Sequence, residues 1–185
     1  GPIVSRDPYV YASPFAHARE HAEAGYYSVV LDAYQTKVEL TASEHAAMQR
    51  YRGDLLPLLD FAAARLSELE PTHALCVFKG CEDLPDADCD SVEQWQTLAG
   101  WLLKKSKDAE WRKSFTKKEG FPAAEGKDKE RNKHRKEEMQ RLLEIFVQDE
   151  VLLETLHEVR YLPAARYADA QWQMLRHLTQ VLTQA

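Results

Sequence analysis

No run in this chain approaches the roughly 18 consecutive apolar residues a membrane-spanning helix needs, so no helical span is expected. Its opening, "GPIVSRDPYVYA", lacks the charged start and apolar stretch of a secretory signal, and a cytoplasmic location is the expectation. Cysteine is sparse at 3 in 185 residues, too few for a disulfide framework. Cys76, Cys81 and Cys89 are spaced C-x4-C-x7-C, which offers neither the tight pair nor the neighbouring His pair of structural zinc, so reduced thiols and no metal are expected. Glycine is also scarce, 7 in all, and the string G-x-x-x-x-G-K-[ST] is missing: Gly126-Lys127 is followed by Asp128. Without that loop there is no cradle for nucleotide phosphates, and no cofactor is expected.

One arrangement of histidines asks for chemistry. His17, Glu20 and His21 in "HAREH" match the inverted metalloprotease spacing H-x-x-E-H, in which two imidazoles on one helix face bind zinc. The segment is short and rich in alanine, and no downstream carboxylate ligand can be identified, so these are read as packing or surface histidines. His73, His134, His157 and His177 are scattered singly. No catalytic residue is assigned.

What the chain does have is charge, unevenly placed. The net charge is −6. Residues 53–103 hold 10 Asp and Glu against 2 Lys and Arg, whereas residues 104–136 hold 13 Lys and Arg against 6 Asp and Glu. An acidic neighbour can neutralise such a basic block internally, so the block does not by itself imply a nucleic-acid partner.

Periodicity points to helices. In "GDLLPLLDFAAARLSELEP", Asp54 is a plausible N-cap, Pro57 is tolerable in the first turn, and Leu55, Leu58, Leu59, Ala62, Leu66 and Leu69 form a stripe that Pro71 ends. Ser91 and Gln94 make a capping-box pattern ahead of Val92, Trp95, Leu98, Ala99 and Leu102, with Lys104 and Lys105 in the last turn, where they suit the helix dipole. Further helices are predicted at about 127–148, facing inward through Met139, Leu142, Leu143 and Phe146; at 149–160, capped by Asp149; and at 169–184, lined by Trp172, Leu175, Leu178 and Leu182. The fold class expected is mainly α: a bundle of four to five amphipathic helices over residues 53–185.

Residues 1–52 read as a small N-terminal β-hairpin or extended segment. "YYSVVL" is rich in β-formers, "KVELTA" alternates Val38 and Leu40 with Lys37, Glu39 and Thr41, and "DAYQT" between them can close a turn. A competing signal lies in "TASEHAAMQRY", where Thr41 and Glu44 form a capping-box pattern that leads into a helix.

Two resemblances to unrelated families follow. From about residue 55 onward, "LLDFAAARL", "WQTLAGWLLKKSKDAEWRKSFTKKEGFP", "DEVLLETLHEVRYLPAARYADAQWQML" and "LTQVLTQA" resemble an accessory helical region of UvrD/RecB-like superfamily 1 DNA helicases, of the exonuclease V beta-subunit type. From Tyr11 to about Tyr51, Ser13, Phe15, His17 and Glu20, then "GYYSVVLD", "KVELTAS" and "RY", look like part of the N-terminal β-sandwich of family 92 glycoside hydrolases, which are α-mannosidases. Neither resemblance brings its family's catalytic set, and their union implies a mosaic chain, fused or artificial.

The helicase resemblance implies DNA as a partner. Lys104, Lys105, Arg112, Lys113, Lys117 and Lys118 are the candidates for phosphate contact, with Trp111 or Phe115 available to stack a base. In 127–136 the interleaved carboxylates suggest pairing within the helix. The expected function is thus a non-catalytic helical binding module with weak DNA affinity. The alternative is a protein-binding or inhibitory partner that meets a basic surface through its acidic block; residual α-mannosidase activity stands third.

Overall fold

The computed structural model describes residues 35–162 and 176–183. The chain divides into two compact units, one of Gly1–Glu39 with Pro163–Ala185 and one of Leu40–Leu162. Helix α1 covers 35–49. It is followed by α2 (Arg52–Leu69), α3 (Val92–Leu102), α4 (Lys129–Phe146) and α5 (Glu150–Val159), with four short 3-10 turns between α2 and α4. Residues 176–183 are also helical. Among the described residues there is no strand, so the mainly α expectation holds at that level.

The predicted second strand of the hairpin, "KVELTA", is helix, and this corrects the period-two reading. Lys37, Thr41, Glu44 and Met48 are buried at 0% exposure, a spacing of three to four residues that fits one helix face and not one face of a strand. An alternation of five residues, 37–41, is too short to fix the period, and the longer run decides. The first predicted strand, "YYSVVL", lies outside the described residues, as do His17, Glu20 and His21.

The core of the Leu40–Leu162 unit is built on α2. Its apolar residues recur every three to four positions, and Leu55, Leu58, Leu59, Phe61, Ala62, Ala63 and Leu66 are all buried. Full burial of a Leu or Phe side chain stabilises by roughly 1.5–3 kcal/mol each, so this face outweighs any weakness of the start. The helix begins at Arg52, earlier than expected, which places Asp54 in the first turn, not at the N-cap. α2 packs on the Ala74–Phe78 turn, on α4 and on the Lys117–Glu119 turn, while α3 packs on α5. Trp95 of α3 is fully buried.

Helix ends carry further corrections. Ser91 makes no side-chain cap for α3; Asp88 instead accepts from Ser91 N and closes the preceding 3-10 turn. α3 stops at Leu102 with Leu103 extended, so Lys104 and Lys105 fall beyond the helix and do not sit on its last turn. Asp149 caps α5 as expected, accepting from Leu152 N at 3.0 Å. Leu178, predicted to face inward, is 47% exposed, and Trp172 and Leu175 lie outside the described residues.

Candidate functional site

The segment after α3 is where the sequence places its candidate polyanion grip. Leu103 and Trp111 form an antiparallel bridge, with Lys104 N donating to Glu110 O and Arg112 N to Leu102 O, both at 2.9 Å. This narrow loop returns Arg112 to the C-terminal end of α3. There Arg112 Nε donates to Trp101 O at 3.0 Å, and Nη2 donates to Gly100 O at 3.0 Å and Leu103 O at 3.3 Å. The last carbonyls of a helix have no partner within it, and a planar guanidinium with several donors suits several of them at once. Arg112 Nη1 also pairs with Glu119 at 3.2 Å.

Glu119 extends the same network. Its Oε2 accepts from Thr116 N and Thr116 Oγ1, each at 2.7 Å, and Thr116 Oγ1 accepts from Lys118 N, a capping box on the Lys117–Glu119 turn. Gly120 then takes a left-handed conformation, φ 93°. A Cβ there would lie 2.5 Å from Ala62 O and 2.7 Å from Ala62 Cα, so only glycine lets the turn close on α2. The contact sends Phe115 and Phe121 inward. They meet Trp101 at ring separations of 5.4 and 6.3 Å, and Phe121 meets Phe61 at 5.8 Å.

The geometry therefore splits the candidate residues. Trp111 is 8% exposed and stacked on Phe146 at 5.2 Å, so it is part of the core and does not offer a face to a base. Phe115 is buried in the aromatic cluster. Arg112 is occupied by carbonyls and Glu119. Lys104 pairs with Glu110 at 3.0 Å, and this hydrogen bond holds the Glu110 carboxyl below its ordinary range. Lys105, Lys113, Lys117 and Lys118 remain exposed. The expected grip of seven side chains is thus not one surface: its aromatic and its arginine build the fold.

What lies beside this loop is a groove. It has a volume of about 710 Å³ and is walled by the 109–113 strand-like segment, α4 and the start of α5. Trp111, Leu143, Val147 and Leu153 give it an apolar floor, and Glu110, Glu144 and Glu150 stand on its rim with Lys113. Val147 and Glu150 also line an adjoining hollow with Ile145 and Val151. Ile145, Val147 and Val151 are 50%, 56% and 64% exposed, an apolar surface at the α4–α5 corner that the fold leaves uncovered among the described residues. Sequence reasoning missed it. The one available signal was that Ile145, Val147 and Val151 fall off the inward stripes of α4 and α5.

The corner itself is rigidly made. Tyr51 donates to Asp149 Oδ2 at 2.6 Å and Arg50 pairs with the same oxygen at 3.0 Å. Burial would raise the Asp149 carboxyl, but the Tyr51 hydroxyl, the Leu152 N–H and Arg50 together outweigh it and hold it low. The same bond raises the Tyr51 phenol, because losing its proton would set two negative charges together. Elsewhere, Glu44 is fully buried with neither carboxyl oxygen hydrogen-bonded among the described residues, and burial pushes it up to about 8.

Other candidates have structural places. His73 Nδ1 accepts from Leu75 N and caps the Ala74–Phe78 turn; His134 pairs with Glu138. Cys76, Cys81 and Cys89 form no disulfide, and no cluster of metal-ligating side chains exists among the described residues.

A family model of the Glycosyl hydrolase family 92 N-terminal domain matches residues 3–54. Of that stretch, the described part is helical: α1 and the first turn of α2. No curated protein and no solved structure matches the chain. The helicase-like reading of residues 55–185 is therefore corrected: the family match ends at residue 54, and nothing supports a helicase region beyond it. With it goes the reason for reading the chain as a mosaic.

Proposed function

We propose that the Leu40–Leu162 unit is a non-catalytic protein-binding module whose groove takes an amphipathic helix with basic flanks from a partner. One observation carries the reading: a groove floored by Trp111, Leu143, Val147 and Leu153 and edged by carboxylates runs into the exposed apolar corner of Ile145, Val147 and Val151. Exposed contiguous apolar surface is unfavourable unless something covers it, and helix-in-groove docking is the common solution. Charge selects the occupant. Arg112 is neutralised by Glu119 and Glu110 by Lys104, which leaves Glu144 and Glu150 against Lys113 on the rim. The stretch 82–93 adds Glu82, Asp83, Asp86, Asp88, Asp90 and Glu93 with no Lys or Arg, and Arg52 pairs with Asp83 alone. Such a field speeds encounter with a basic partner without fixing its pose.

The test is fluorescence anisotropy with a labelled Leu/Lys amphipathic helix, a Leu/Glu helix of the same apolar face, and single-stranded and duplex DNA, across a salt series. The Lys helix is expected to bind. Val147→Asp, on an exposed position, is expected to weaken it at least tenfold, and Glu144→Lys with Glu150→Lys to weaken it further at low salt. Equal binding of the Glu helix, or indifference to Val147→Asp, overturns the reading. Binding of DNA in place of either helix overturns it in favour of a nucleic-acid partner.

A further inference from the structure

On another part of α2 and α4, three guanidinium groups converge on one aromatic ring. Arg65 Cζ lies 5.8 Å from the centroid of Phe61, Arg131 Cζ 5.4 Å and Arg135 Cζ 6.0 Å. Phe61 is 4% exposed, so the ring is a buried anchor under the three. Arg131 and Arg135 are four apart on α4 and share its face, while Arg65 comes from α2. The ring's negative face offsets part of their mutual repulsion.

Counter-charge is incomplete. Arg65 pairs with Glu68 at 3.3 Å and Arg135 with Glu138 at 3.0 Å. Glu138 is shared, since His134 Nε2 approaches its other oxygen at 3.1 Å. Arg131 has no ion pair among the described residues and is exposed. In addition, Arg65 Nε is buried and donates to no acceptor among the described residues. The cluster thus holds a surplus positive charge and spare donors, from side chains held in place by Phe61. Planar guanidinium forks from two helices are the arrangement that recognises a tetrahedral dianion, which offers several acceptors to several forks at once.

We propose that Arg65, Arg131 and Arg135 form a binding site for a phosphoryl group. The site lies apart from the residues that wall the groove, and it stands whether or not the groove binds a helix.

The experiment follows the arginine Nε–H resonances of the full chain by NMR at pH 8 and fixed ionic strength. Inorganic phosphate is titrated in one arm and a phosphoserine peptide in another, with chloride and the unphosphorylated peptide as controls. The Arg65 and Arg135 signals are expected to move saturably with phosphate or the phosphopeptide and not with the controls. The stronger arm identifies the source of the phosphoryl group. Arg131→Gln is expected to weaken binding at least tenfold, whereas Lys133→Gln removes the same charge from an exposed α4 position and is expected to change it less than twofold. Linear shifts without saturation in both arms, or equal losses in Arg131→Gln and Lys133→Gln, overturn the proposal: the first leaves no site, the second only a general positive field.

Discussion

Residues 104–119 and 127–141 each carry seven Lys and Arg, and they are almost adjacent in the chain, yet their charges end in opposite places. In the first segment the backbone is a narrow loop, so its side chains can reach the free carbonyls at the end of α3, and Arg112 takes three of them. In the second, α4 satisfies its own backbone, and its cations meet carboxylates three or four residues away, the Phe61 ring of α2, or solvent. Composition alone makes the two segments look alike. What separates them is the presence of unsatisfied backbone acceptors within reach.

The sharpest way to break the contrast is at the glycine that seats the first segment. Gly120→Ala would place a Cβ 2.5 Å from Ala62 O at a φ of 93°. Backbone cannot move aside as a side-chain tip can, and the overlap and the left-handed strain add, for a loss of about 4 kcal/mol. Gly126 also has a positive φ, 67°, but nothing lies within 4 Å of its Cβ direction. Gly126→Ala is expected to cost about 1 kcal/mol, from the backbone alone. Urea unfolding of the two variants measures the difference. Similar losses would mean that the Lys117–Glu119 turn is not seated on α2.

Charge taken inward without a partner should behave differently from Arg112. Burial raises Glu44 from 4.5 to about 8, so between those values the folded state binds more protons than the unfolded chain. Stability is then fully present below pH 4.5 and falls as pH rises towards 8, with a slope of at most about 1.4 kcal/mol per pH unit. Glu44→Gln removes the titration and is expected to flatten the pH dependence of Tm across that window. An unchanged slope would show that Glu44 is paired when ionised.

These contrasts explain what could be read from the sequence. α2 and α4 were legible because Leu55, Leu58, Leu59 and Leu66, and likewise Met139, Leu142, Leu143 and Phe146, repeat over about two turns or more, and α5 was legible through Asp149, a cap whose acceptor role is local. The 104–121 loop was not. Trp111 finds Phe146 across 35 residues, Gly120 finds Ala62 across 58, and Arg112 finds carbonyls whose freedom depends on where α3 stops. "WRKSFTKKEGFP" looks like a basic, aromatic surface until those distant partners are supplied. The apolar corner was hidden for the converse reason: it is defined by Ile145, Val147 and Val151 having no partner, which periodicity reports only as residues off the stripe.

The comparison is tested most directly by removing one arginine from each segment. Arg112→Met keeps much of the stem's packing but withdraws three donors from the α3 carbonyls and one from Glu119. Gly100 is exposed and its carbonyl can turn to water, whereas Trp101 and Leu103 are buried, so about 2 kcal/mol is the expected loss. Arg131→Met, on the exposed face of α4, is expected to change stability by less than about 0.5 kcal/mol. Chemical denaturation gives both values, and amide exchange locates the first: Leu103 N, which donates to Ala99 O, and Arg112 N, which donates to Leu102 O, should lose protection in Arg112→Met and keep it in Arg131→Met. If the two substitutions cost the same, the inward network around Arg112 contributes nothing beyond its charge, and the two basic segments differ in appearance only.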